Sequence, residues 1–188
     1  MAYIEAYHIT KNEDYAEIAE EVFSYVLRDM KHERGGFFSA EDADSEGEEG
    51  IFYLWTEQEV LKILGKKEGS VFSKIYGFSK AGNFLDEASG KRNGGNIPYL
   101  SKSKSILAKE IKVSLDELNK IIRSSRNKLF KKRKERIHPL KDDKILTDWN
   151  GLMIAALAQG GMVFSNKKYI KEAIKAADFI HEYLQRND

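Results

Sequence analysis

The sequence contains no cysteine, which excludes disulfides, thiolate metal sites and thiol catalysis within this chain. It has no run of about 18 apolar residues, so no membrane-spanning helix is expected. Its start, Met1-Ala2-Tyr3-Ile4-Glu5, lacks the basic and apolar regions of a signal peptide. It also lacks an excess of either charge. With 31 basic and 30 acidic residues the formal net charge is +1, so no global field favours nucleic acid or an anionic membrane. The expectation from these absences is a cytoplasmic protein with neither a nucleic-acid nor a membrane partner. What is present is 188 residues, 41% hydrophobic and 32% charged. That is enough for a single domain burying about 70% of its unfolded surface.

Most of the chain carries helical periodicity. Met1 to Ile9 is apolar and small, and it has no N-terminal cap, as if it opened inside something larger. The polar turn Thr10-Lys11-Asn12-Glu13-Asp14 leads into a helix from Tyr15 to Met30. Its apolar residues Tyr15, Ile18, Ala19, Val22, Tyr25, Val26 and Met30 recur at helical spacing. Thr56-Glu57-Gln58-Glu59 and Ser114-Leu115-Asp116-Glu117 both have the capping-box pattern. The first opens a helix from Glu57 to Leu64, followed by another from Glu68 to Tyr76. Phe78 to Leu100 reads as a glycine-rich loop, and Ser103 to Ile111 as a short helix. The second box opens a long helix toward Lys134, with Leu118, Ile121, Ile122, Leu129 and Phe130 facing inward and Pro139 beyond its end. Thr147 or Asp148 can cap a helix from Trp149 to Phe164. That helix is apolar nearly all round and therefore reads as buried, with Trp149 in the core. Tyr169 to Leu184 is the last helix.

The two ends of the chain repeat each other. Tyr15, Ala19, Tyr25 and Val26 align with Tyr169, Ala173, Phe179 and Ile180, and Ala2, Ala6 and Ile9 align with Ala156, Gly160 and Val163. Each copy is a small-residue helix, a polar turn and an amphipathic helix opening with tyrosine. Repeated α-hairpins of this kind stack as a solenoid or close into a toroid. The expected fold is mainly α, a partial α/α toroid with a small β-hairpin. Its hairpin copies fall at about 1–30 and 148–186, and an excursion covers 31–147.

The excursion holds the least helical stretch, Gly35 to Trp55, in which carboxylates lie between two aromatic runs. Phe37-Phe38 and Ile51-Phe52-Tyr53-Leu54 suggest a hairpin pairing across the acidic loop. Asp42-x-Asp44-x-Glu46-Gly47 starts like a calcium loop, but Tyr53 occupies the twelfth place, where a bidentate glutamate is needed. No metal or cofactor is therefore expected. Lys128 to Arg136 is strongly basic and reads as a solvated helix end favoured by the C-terminal dipole. Arg34, Arg133 and Arg136 are candidate counter-charges for the acidic loop.

Gly35-Gly36-Phe37, the Asp42-Ala43-Asp44-Ser45-Glu46-Gly47 run, Glu49-Gly50, Phe52-Tyr53 with Trp55, Gly82-Asn83-Phe84, Arg133…Arg136…Pro139 and Asp142 to Met153 together carry a resemblance. The chain resembles the thioredoxin-domain-fused proteins that include the bacterial YyaL-type proteins and the animal spermatogenesis-associated relatives. That resemblance implies an α/α toroid similar to N-acylglucosamine 2-epimerases and six-hairpin glycosidases. It also implies a cysteine-bearing thioredoxin-like domain that this chain lacks.

On the toroid reading, loops at the helix ends line a cleft mouth for a small carbohydrate. Asp42, Asp44, Glu46, Glu49, Asp142 and Asp143 are the candidate acids and bases. Such pairs stand about 5.5 Å apart for retention and about 6.5–9.5 Å apart for inversion. Phe37, Tyr53, Trp55 and Trp149 are candidates for stacking on sugar faces, with Asn83, Arg136, Lys144 and Asn150 as polar contacts. An epimerase would also need a base, usually histidine. Of His8, His32, His138 and His181, only His32 and His138 flank the motifs. The alternative function is a non-catalytic scaffold or interaction module for a thioredoxin-like domain. Either way, an open toroid edge would favour self-association.

Overall fold

The computed structural model describes residues 1–86 and 89–185. In chain order its elements are α1 (Ala2–Thr10), α2 (Glu13–Tyr25, prolonged by a π-helical turn, Val26–Met30), β1 (Ala40–Glu41), β2 (Asp44–Ser45), β3 (Glu48–Glu49), β4 (Trp55–Thr56), α3 (Glu57–Leu64), α4 (Lys66–Ile75), β5 (Gly95–Asn96), α5 (Lys104–Ile111), α6 (Leu115–Arg133), β6 (Lys141–Asp142), α7 (Thr147–Val163) and α8 (Lys167–Tyr183). The protein is mainly helical, and each strand is two residues long. Among the described residues no helix is long and apolar enough to cross a membrane. The chain forms two compact units. One is Met1–Asp42 together with the segment from Lys141 onward; the other is Ala43–Leu140.

The first unit contains two helical hairpins, α1–α2 and α7–α8, built on the same turn. Lys11 and Ser165 both adopt the left-handed conformation, at φ 55° and 53°. The next residue in each case is an asparagine that caps the following helix: Asn12 accepts from the Asp14 N–H and Asn166 from the Lys168 N–H, both at 3.0 Å. The hairpins meet where α7 is smallest. A Cβ on Gly160 would lie 2.4 Å from the Phe23 ring, and one on Gly161 2.5 Å from Ile170 Cδ1. Ile4, Phe23, Val26, Met30, Phe37, Leu157, Ala173 and Ala176 form the core between the helices. Fully burying a large apolar side chain contributes about 1.5–3 kcal/mol, so this cluster is the unit's main source of stability.

Three expectations are corrected in this unit. Although α7 is apolar nearly all round, it is not buried all round: α1 and α8 pack against it, while Leu152 and Met162 remain 63% and 69% exposed. Trp149 is 52% exposed in the first turn of α7 and is not a core residue. The N-cap of α7 is Leu146 and not Thr147 or Asp148; the chain arrives extended at Leu146, whose carbonyl accepts the Asn150 N–H. Asp148 receives only the N–H of its neighbour Trp149.

In the second unit both capping boxes form. Thr56 accepts from the Glu59 N–H while Glu59 accepts from the Thr56 N–H, and Ser114 and Glu117 do the same. Trp55, Val60, Leu64, Phe72 and Leu129 make one core cluster, and Ile75, Leu107, Ala108, Leu118 and Ile122 make another. Of the inward residues expected on α6, Leu118, Ile122 and Leu129 are buried, and Ile121 and Phe130 are half-buried. The loop after α4 is irregular apart from β5, which pairs with β4.

The expected pairing of Phe37-Phe38 with Ile51–Leu54 is also corrected. The hairpin is shorter and lies inside the acidic run, with Asp44 opposite Glu49 and Ser45 opposite Glu48. Glu46 and Gly47 both take positive φ, 55° and 80°, as a tight two-residue hairpin turn requires. Ile51–Tyr53 instead turn back on Gly50, whose carbonyl accepts the Tyr53 N–H at 2.9 Å. Phe37 makes an antiparallel bridge with Lys31.

The packing at Gly160 can be tested against a neighbour on the same helix. Gly160→Ala is expected to destabilise the protein by about 1–3 kcal/mol, because the added methyl meets the Phe23 ring. Gly151→Ala, where an added Cβ meets nothing within 4 Å, is expected to stabilise it by about 0.5–1 kcal/mol. Urea unfolding of both variants measures the difference in sign.

Candidate functional site

In the first unit the candidate residues lie on the chain between the π-helical turn and α7. Gly35 and Gly36 lie flush on α8: a Cβ at Gly35 would stand 2.6 Å from the Lys175 carbonyl oxygen, and one at Gly36 2.8 Å from the Phe179 ring. This close seat brings the Phe37 backbone to Asn150. The Phe37 N–H donates to Asn150 Oδ1 at 2.7 Å, and Asn150 Nδ2 donates to the carbonyls of Phe37 at 3.0 Å and Leu146 at 2.9 Å. Asn150 is 2% exposed, and its amide does the work of a strand partner. Phe37 itself is buried core.

Beyond Phe37, β1 and β6 pair antiparallel, Ala40 with Asp142 and Glu41 with Lys141. Glu41 accepts a hydrogen bond from the Tyr25 hydroxyl at 2.9 Å, and Lys141 Nζ stands 3.9 Å from its carboxylate. Lys141 also donates to the Asp29 carbonyl. Asp142 is chelated by Lys144: Nζ lies 2.8 and 2.9 Å from its two oxygens, and the Lys144 N–H lies 3.2 Å from Oδ1. Those hydrogen bonds hold the Asp142 carboxyl below its usual range and raise Lys144 in return. Asp142 therefore stays ionised at neutral pH. Asp42 and Asp143 are exposed.

In the second unit Asp44, Glu46 and Glu49 sit on the tight hairpin, all exposed. Between them Ser45 is 5% exposed and donates to the Ile137 carbonyl at 2.7 Å, which anchors the hairpin. Arg136 organises the segment that follows. Its Nη1 donates to the carbonyls of Ile51, Phe52 and Leu54 at 3.2, 2.9 and 2.7 Å, its Nη2 donates to Glu59 at 3.2 Å, and its guanidinium lies 4.0 Å from the Trp55 ring centroid. Trp55 is 4% exposed and inside the core. Tyr53 is half-exposed beneath Arg133, at 5.1 Å. Asn83 repeats the device of Asn150: it accepts the Ile97 N–H at 2.8 Å and donates to the Ile97 carbonyl at 3.0 Å and the Gly77 carbonyl at 3.2 Å.

Of the two flanking histidines, His32 lies between Phe38 and Phe179 and accepts the Arg34 N–H at Nδ1, while His138 stacks on Phe52 at 4.7 Å. Arg34 faces the Tyr183 ring. Among the described residues no three histidine, aspartate or glutamate side chains are grouped to hold a metal ion. Sequence reasoning missed the Tyr25–Glu41–Lys141 cluster, because Tyr25 fits the apolar stripe of its helix. It also missed Asn96, fully buried, which accepts the Ser79 N–H and donates to the carbonyls of Ser79, Trp55 and Gly94. The adjacent glycines Gly94 and Gly95 mark only a close backbone approach.

No protein-family model matches the chain. It is similar to spermatogenesis-associated protein 20 of Homo sapiens, 33% identical, and of Rattus norvegicus, 32% identical, each over 98% of this chain. It is also 30% identical, over 94% of its length, to the uncharacterized protein B0495.5 of Caenorhabditis elegans. In all three cases the chain spans 26% of the relative's length. The match is homology with one quarter of those proteins, and it supports the resemblance carried by the motifs.

The amide clamp is testable. Asn150→Ala leaves the Phe37 N–H and C=O buried without their partner and is expected to cost about 2–4 kcal/mol. Trp149→Ala, one position earlier but exposed, is expected to change stability by no more than about 0.5 kcal/mol. Equal urea midpoints for the two variants would sink the assignment of Asn150 to the scaffold.

Proposed function

We propose that this chain is a non-catalytic scaffold and interaction module within a longer protein, and that its partner is a thioredoxin-like domain. One observation carries this reading. The residues with the best claim to hold a substrate are used to hold the fold: Asn150, Asn83 and Arg136 bond backbone groups, and Phe37 and Trp55 are core. What the first unit offers to a partner is the uncovered side of α7, where Leu152 and Met162 are each more than half exposed. Exposed apolar side chains set in one stripe suit a protein contact better than they suit solvent. The length of the homologous proteins, of which this chain spans about a quarter, supports the presence of a partner within the same polypeptide.

A carbohydrate-processing reading, epimerase- or glycosidase-like on a toroid of hairpins, has one observation in its favour. Tyr25, Glu41 and Lys141 set a hydroxyl, a carboxylate and an ammonium side by side. Glu41→Gln would remove the carboxylate without removing its bulk.

Leu152→Glu and Met162→Lys alter only exposed positions and are expected to leave stability within about 0.5 kcal/mol. Calorimetric titration of the chain with the thioredoxin-like domain of a full-length homologue should give saturable binding that both variants weaken at least about tenfold, roughly 1.4 kcal/mol. Absence of binding, together with sugar-dependent quenching of Trp149 fluorescence that Glu41→Gln abolishes, would overturn the scaffold reading in favour of the carbohydrate one. Light scattering of the chain alone shows whether a second copy covers the α7 face first.

A further inference from the structure

An open depression of about 410 Å³ lies between the end of α2 and the start of α8, lined by Ser24, Leu27, Arg28, Asn166, Lys168 and Tyr169. Its strongest charges are positive, with the Glu20 carboxylate near Tyr169 as a counterweight. The N-terminus of α8 carries the positive end of the helix dipole, and its first turn contains no acidic residue to complement that end, only Lys167 and Lys168. Two cations at a positive helix end oppose each other and the dipole, an arrangement that an anion relieves. Arg28 borders the same depression. It is ion-paired with Asp29, so Lys168 and the helix end supply most of the attraction.

The second observation is independent of the helix end. Tyr169 is 7% exposed, with its ring packed at 4.7 Å on Phe23, yet it lines the depression and its hydroxyl makes no hydrogen bond with any described residue. A buried tyrosine normally gives its O–H to a partner. Tyr169 lines the depression, so a ligand there is within its reach. Burial and the nearby Glu20 carboxylate push the Tyr169 phenol above its usual range, so it stays protonated and remains a donor. Ser24 adds a second hydroxyl to the lining.

We propose that this depression is a binding site for a phosphate group, with Tyr169 and Ser24 donating to its oxygens, Lys168 supplying charge and the first turn of α8 supplying the dipole. A phosphate has the multiple acceptor oxygens and the charge that this set of donors lacks. The site belongs to the first unit alone and is independent of the α7 face.

The test is a titration of the full chain with sodium phosphate, against sodium chloride at equal ionic strength, followed by amide NMR shifts. Saturable shifts centred on Lys168 and Tyr169, absent with chloride, are the expected result. Tyr169→Phe keeps the ring and is expected to weaken binding about fivefold, the worth of one hydrogen bond. Lys168→Glu, at an exposed position, should abolish binding, and Glu20→Gln should tighten it. A parallel arm with glucose 6-phosphate separates the sources: equal affinity assigns the site to free phosphate, and tighter binding assigns it to a phosphorylated sugar. Shifts that chloride reproduces, or phosphate binding unchanged in both Tyr169→Phe and Lys168→Glu, would overturn the proposal. Melting curves confirm that each variant is folded. If Tyr169→Phe unfolds, the Lys168→Glu result decides.

Discussion

The constraint on which the rest depends is that buried backbone N–H and C=O groups must be paired. This chain has helices to do that and strands of only two residues. The long connections between helices therefore bury backbone that no sheet can satisfy, and side chains take over the role. Asn150 pairs both polar groups of buried Phe37 and Asn96 both of half-buried Ser79, and Asn83 does the same for the exposed Ile97. In each case a primary amide, one donor and one acceptor in a plane, imitates the edge of a neighbouring strand. Arg136 does the same for a run of carbonyls, bonding three of them while its guanidinium faces the Trp55 ring. Without these four side chains the connections would have no fixed path.

Polar residues inside glycine-rich motifs look alike whether they hold a ligand or hold a backbone, because both jobs use the same donors and acceptors. Burial separates the two. Asn150 at 2% exposure spends both amide N–H groups and one acceptor site of Oδ1 on the backbone. Tyr169 at 7%, lining an open depression with no hydrogen bond to a described residue, has capacity left. The glycines follow the same logic: Gly35 and Gly36 are bare because α8 lies against them, not because a substrate does.

What was legible in the sequence was local. The capping boxes at Thr56 and Ser114 specify helix starts through contacts three residues apart, and both form as read. The buried face of α6 follows from periodicity alone. The acidic hairpin differs from the expected one because two aromatic runs suggest a pairing across the loop, while the turn chemistry of Glu46-Gly47 imposes another register inside it. The environment of α7 was misread for a different reason. Periodicity reports which faces of a helix are apolar, not how many neighbours arrive to cover them; α8, α1 and the Phe23 ring of α2 pack on α7, and Leu152 and Met162 stay exposed. Of the candidate site, Asp142 and Lys144 are neighbours in sequence and in space, but the Asn150 clamp joins residues 113 apart and has no sequence signature.

The topology explains why the two units can carry separate roles. The second unit leaves the first after Asp42 and returns at Lys141. Those two points lie side by side in the β1–β6 ribbon, where Glu41 pairs with Lys141. An insertion whose ends are already held together costs the host little chain entropy, since loop closure is set by the distance to be spanned and only weakly by the length inserted. Tyr25, Asp29 and Ser39 reinforce the ribbon from the host side, through Glu41, Lys141 and the Asp142 carbonyl. Inside the insert, Ser45 bonds the Ile137 carbonyl and so ties its two ends a second time. The acidic run that dominates the sequence thus straddles this junction. Glu41 and Asp42 belong to the host's ribbon and Asp44, Glu46 and Glu49 to the insert's hairpin, so its first physical role is to enter and close an insertion.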